Sequence, residues 1–300
     1  MPLSAIFAFI FGAALGSFLN VVILRNKSVK QASQASSSAG KTGAGKTLGV
    51  NGKTPRVALP AEASGEGWEE AGILRGRSHC PFCHKKLAWP ELIPILSFIF
   101  LRGRCRTCHN QISLQYPLLE LAIGVFTLIL FTPLPATSAA FAIAVLSLIS
   151  IALLIILFVI DLRTMLLPDI FIIILAVVVV LSLFINYSLQ PTAYSLITAL
   201  LGMTIGSGVL AFLWLITRGR GIGLGDVKLM LPLGALFGPI GTITLLFPAF
   251  ISGGAVGAFL LLTGRANMKT PVPFGPFLAG VAILFILIPE LPQAILNIII

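Results

Sequence analysis

Ten carboxylates serve 300 residues, and five of them lie before residue 114. The other five, Glu120, Asp161, Asp169, Asp226 and Glu290, stand in or beside long apolar runs. A carboxylate in that setting is expensive and by default marks function. Three have simpler reasons to be there. Glu290 sits near the end of the last apolar run and can face water. Glu120 falls in the first turns of a helix, where the dipole favours negative charge. Asp169 follows Pro168 and looks like a helix-start residue.

Asp161 and Asp226 fit no such reason. Asp161 ends the run Leu153–Ile160 at an expected helix C-terminus, where the dipole opposes its charge. Asp226 follows the glycine-rich stretch Gly221–Gly225. Two carboxyls brought together cannot both ionise and share a proton. One can then take a proton from water attacking a peptide carbonyl while the other donates. Gly223 and Gly225 lack a Cβ, so an extended substrate backbone could approach Asp226, with Lys228 just beyond. Spacing alone leaves a proton or ion pathway as an equal alternative.

A second chemistry belongs to the cysteines. Cys80-Pro-Phe-Cys83 and Cys105-Arg-Thr-Cys108 are separated by 21 residues. Two CxxC knuckles at this distance supply four thiolates for a closed, structural tetrahedral zinc site. A reducing compartment argues against the alternative of disulfides. His79, His84 and His109 flank the knuckles and read as solvated loop residues. Gly40–Thr47 matches the phosphate-loop pattern GxxxxGK[ST]. It has no strand before it and no helix start after it, so no nucleotide is expected there.

The elements that must position these residues are set by a membrane. Hydrophobic residues make up 57% of the chain and charged ones 10%, with a mean hydropathy of +1.03; an average soluble domain has about 25% charged residues. Helices long enough to cross about 30 Å of hydrocarbon are expected over 3–24, 114–134, 138–160, 169–187, 193–217 and 274–298. The stretch 227–263 is expected to split at Gly238-Pro239 into a short helix, 227–237, and a longer one, 240–263. The first run has no basic residue before it and no small-residue cleavage pattern after it, so it reads as a retained helix. The fold class is thus an all-α polytopic membrane protein of about eight helices, one short, with a four-cysteine, zinc-type cytoplasmic insertion. The expected division is 1–26 (first helix), 27–78 (flexible cytoplasmic linker), 79–113 (cysteine module) and 114–300 (membrane core).

The formal net charge of +10 follows orientation and calls for no nucleic acid. Fourteen of the 20 Lys and Arg fall in 25–113. The rest lie at the same face if the N-terminus is outside, a strong positive-inside pattern. Asp161, Asp226 and the cysteine module then share the cytoplasmic edge.

The landmarks resemble those of the prepilin peptidases, the type IV leader peptidase family of GxGD membrane aspartyl proteases. Gly223-Leu-Gly225-Asp226-Val-Lys228 is similar to that family's second catalytic motif, and Asp161–Asp169 to the segment around its first. Gly16-Ser-Phe-Leu-Asn20, the paired CxxC module, Tyr116–Glu120 and Pro273-Phe-Gly-Pro276 follow in the family's order. The resemblance covers most of the chain except 27–78. It implies cleavage of the leader of type IV prepilins or type II secretion pseudopilins at the cytoplasmic face of the bacterial inner membrane. For members with the cysteine module it also implies methylation of the new N-terminus by S-adenosylmethionine. The residues by themselves leave two competitors, a proton-coupled membrane transporter and a zinc-dependent membrane scaffold.

Overall fold

The computed structural model describes residues 3–25, 78, 80, 83, 85–132, 134–189, 196–219, 221–265, 267 and 270–299. The expected linker (but for Ser78), the Gly40–Thr47 match, His79 and His84 lie outside them. The helices are α1 (Leu3–Arg25), α2 (Leu96–Phe100), α3 (Gln115–Phe131), α4 (Ser138–Thr164), α5 (Asp169–Leu189), α6 (Leu196–Thr217), α7 (Leu224–Leu262), α8 (Gly275–Leu287) and α9 (Leu291–Ile299). A single 3-10 turn, Trp89–Leu92, precedes α2. No strand is formed among the described residues; a β-bridge joins Arg104 to Gln111. The chain divides into two compact units, Met1–Val125 and Phe126–Ile300, with the boundary inside α3.

In the first unit α1 crosses the start of α3 where glycines let the helices close. A Cβ on Gly16 would stand 2.7 Å from the Glu120 Cα, and one on Gly124 2.9 Å from the Phe9 ring. Small residues do this work between membrane helices, where apolar burial offers no drive. Asn20, fully buried, donates to the Gly16 and Tyr116 carbonyls at 3.3 and 3.4 Å and accepts from the Gln115 amide at 3.3 Å. Left unpaired there it would cost about 1–3 kcal/mol, so the bonds fix which faces of the two helices meet.

In the second unit five helices or helix pairs account for the apolar runs. Among the described residues five helices are long and apolar enough to cross a membrane, or six if the bent pair α8–α9 is one span. The single helix expected over 274–298 is two, bent by 113°. Pro289 explains the break, since it has no N–H to give and holds Ile288 extended at φ −128° and ψ 82°.

The expected split of 227–263 occurs at Gly238, whose φ of 67° and ψ of −173° are not helical. The first limb begins three residues earlier than expected, at Leu224. A Cβ on Gly206 of α6 would meet both Met230 and Thr242 at 2.8 Å. On an unbroken helix those two residues would be about 18 Å apart, so α7 folds back at Gly238 into a hairpin along α6. Its first limb, 224–237, is about 21 Å long and too short to span. At the hairpin's inner face Gly202 and Gly234 touch backbone to backbone, with no room for a Cβ on either. The Thr242 hydroxyl is buried without a partner. Its usual acceptor would be the carbonyl four residues back, which belongs to the displaced Gly238.

Candidate active site

Three helix ends build the site, all in the second unit. Asp161 occupies the last turn of α4, which runs one turn past the expected end at 160 and closes on Met165 in the left-handed conformation. Asp226 is the third residue of α7, and Gly275 is the first of α8. Both aspartates are 5% exposed. Asp226 Oδ2 accepts the Gly223 N–H at 3.2 Å, a first-turn arrangement that also suits the helix dipole. Asp161 lies at the unfavourable end of its own helix. It is compensated by the N-terminus of α8, where the Gly275 N–H donates to its carboxylate.

The two side chains come together at Gly275. A Cβ there would lie 2.6 Å from Asp161 Oδ2 and 3.2 Å from Asp226 Oδ1. Both carboxylates therefore reach one small volume and repel each other across it. Only a residue without a side chain leaves that volume free. The sequence carried no role for Gly275 beyond its place in a family landmark.

The neighbouring glycines differ. The space at Gly225 is filled by Leu167, whose Cβ would be 2.9 Å from an added one, so Gly225 serves the packing of the α4–α5 connection. Gly223 is open, with nothing nearer than Asp226 Oδ2 at 3.4 Å. Lys228 points to Asp169, its Nζ 2.9 Å from both carboxylate oxygens, and both side chains are exposed. Asp169 heads α5 as expected, yet its pairing across 59 positions left no local signal.

The four cysteines of the first unit are reduced, with all Sγ atoms within 4.8 Å of one another. The Cys80–Cys108 and Cys83–Cys105 sulfurs are 3.8 and 4.0 Å apart. A tetrahedron with 2.3 Å bonds has edges of about 3.8 Å. Each knuckle is closed by backbone bonds, Cys80 N–H to Lys85 O and Cys105 N–H to Asn110 O. Backbone N–H groups of Cys108 and Thr107 hold the Cys105 thiol down to about 6, which prepares it as a thiolate ligand. His109 stands outside the cluster. Glu120 exceeds its simple reading: buried, it accepts the Ile95 N–H at 2.7 Å and thereby ties the start of α2 to α3.

A helical membrane protein with two buried aspartates converging at helix ends, and a separate four-thiol knuckle pair, has the features of a membrane aspartyl peptidase. Residues 10–134 match the Bacterial Peptidase A24 N-terminal domain and residues 148–258 the Type IV leader peptidase family. A "Prepilin leader peptidase/N-methyltransferase" of Burkholderia pseudomallei (strain 1026b) is 37% identical over 289 residues, 93% of this chain and 84% of that protein. The protein of the same description from Bacillus subtilis (strain 168) is 36% identical over 71% of this chain and 82% of its own length. A "Type 4 prepilin-like proteins leader peptide-processing enzyme" of Escherichia coli O78:H11 is 31% identical over 94% of this chain and 93% of its own. No solved structure matches. The chain belongs to the type IV leader peptidase family.

Proposed function

We propose that this chain is an endopeptidase that removes the leader from type IV prepilins or related pseudopilins at the cytoplasmic face of the bacterial inner membrane, with Asp161 and Asp226 as its catalytic pair. The observation that carries this is the convergence of both carboxylates on the space above Gly275. One carboxylate takes a proton from water as the water oxygen bonds to the scissile carbonyl carbon. The other carboxyl gives its proton to the developing oxyanion or the departing nitrogen. Collapse breaks the C–N bond, releases acid and amine, and leaves one proton on the pair. Gly223 offers the open side along which a substrate backbone lies, and Lys228 frames that edge through Asp169.

Cys80, Cys83, Cys105 and Cys108 are the residues that would hold zinc, and four thiolates leave it no open position for water. The ion's chemistry here is to cross-link the knuckles and stabilise their fold. The relatives' names also carry an N-methyltransferase, and we include transfer of a methyl group from S-adenosylmethionine to the new N-terminus in the proposal. The substrate is thus a membrane-embedded protein, and neither nucleic acid nor a nucleotide at Gly40–Thr47 takes part.

The test is mass spectrometry of the N-terminus of a co-expressed prepilin. Wild type yields the shortened, methylated chain, whereas Asp161→Asn and Asp226→Asn each yield the full-length precursor although they insert normally. Complete cleavage by either variant in reconstituted membranes would falsify the assignment.

A further inference from the structure

The first unit carries a second site that the peptidase pair does not use. At the end of α2 and just beyond it, the residues Phe100, Arg102, Arg104, Arg106 and His109 line a concave space of about 560 Å³, with Cys105 in its wall. The three arginines are exposed and none forms an ion pair among the described residues. The two described acids of this unit are engaged elsewhere: Glu91 with Lys85 and the Ala88 N–H, Glu120 with the Ile95 N–H. Among the described residues no carboxylate is paired with these arginines.

Beside it the surface is apolar. On α2, Leu96, Ile99 and Phe100 are 49%, 60% and 80% exposed, and a five-residue helix cannot span. Its depth is fixed. The residue before α2, Ile95, is bound to Glu120 in the second turn of α3, and Asn20, near the end of α1, is bound to Tyr116 in the first. The apolar residues and the arginines therefore lie where two apolar helices begin and end, the level at which hydrocarbon gives way to headgroups. A soluble anion would account for the arginines alone. An amphiphile with an anionic head accounts for both surfaces.

We propose that the Arg102–Arg104–Arg106 pocket binds the headgroup of an anionic phospholipid, with Phe100 and Ile99 of α2 set among its acyl chains. The partner is a lipid surface, and the site holds the cysteine module at the membrane edge.

The experiment uses the delipidated full-length protein and native mass spectrometry with phosphatidylglycerol or phosphatidylcholine. Wild type is expected to retain phosphatidylglycerol at least about tenfold better than phosphatidylcholine. The triple variant Arg102→Gln/Arg104→Gln/Arg106→Gln should lose that preference while keeping its zinc content. Arg→Lys changes at the same three positions, which keep the charge, should retain it and cover the case in which the Gln variant loses zinc. Phe100→Ser should weaken retention of the lipid without altering the choice of headgroup. Equal retention of the two lipids by wild type, or an undiminished preference in the Gln variant, overturns the proposal. Displacement of the lipid by millimolar glycerol phosphate would also overturn it in favour of a soluble anion.

Discussion

Gly275 is the residue on which the pair depends. Adding one methyl group would place carbon 2.6 Å from Asp161 Oδ2, inside any tolerable contact, so the carboxylate must move. A displacement near 1 Å at a reacting group costs roughly 10²-fold in rate. Gly275→Ala should therefore lower kcat for prepilin cleavage by about that factor with little change in melting temperature. Gly223→Ala is the contrasting case. Its Cβ meets only ordinary contacts, so the fold is kept and the effect, if substrate backbone lies there, falls on KM. The Lys228–Asp169 pair is exposed on both sides, and such pairs contribute about 0–1 kcal/mol. A double-mutant cycle with Lys228→Met and Asp169→Asn should return a coupling within that range in thermal stability, and the coupling should shrink with added salt.

At the scale of elements, the hairpin in α7 carries the architecture. Gly202 and Gly234 meet backbone to backbone, and a branched side chain at either forces the limbs off α6. Gly202→Val is expected to destabilise the protein by about 1–3 kcal/mol, read as a lower melting temperature in detergent. The cysteine loops make a matching element in the first unit. Metal analysis should find about one zinc per chain, and Cys105→Ser should remove it and expose the module to protease. The helices and their break at Gly238-Pro239 were legible because apolar length and proline are local signals. The start at Leu224 was hidden, because Gly223 and Gly225 read as loop until Leu167 is seen packed against the latter. Pro289-Glu290-Leu-Pro292 is a local signal of the same kind, but the apolar runs on either side of it together have the length of one span, and a single helix over 274–298 accounts for that length. Asp161 and Asp226 stood out by type and helix-end position. Their common meeting point did not, since it depends on a glycine 49 positions beyond the second of them.

For the whole molecule, the basic residues and the hairpin make one joint prediction about orientation. A chain that enters at Leu224 and folds back at Gly238 must bring residue 265 to the side from which residue 221 departed. Alkaline phosphatase fused after Leu189 should be active, and fused after Thr217 or Arg265 inactive. Activity after Arg265 would mean that α7 crosses once and that the hairpin is not kept in the membrane.

The three helix ends that form the site also set a schedule. Asp161 leaves the ribosome first, Asp226 65 residues later, and Gly275, with its N–H for Asp161, another 49 residues after that. Until α8 has inserted, the first aspartate sits at the wrong pole of its helix with no opposing donor. The three-helix meeting point is thus absent from the nascent chain and forms only when α8 arrives.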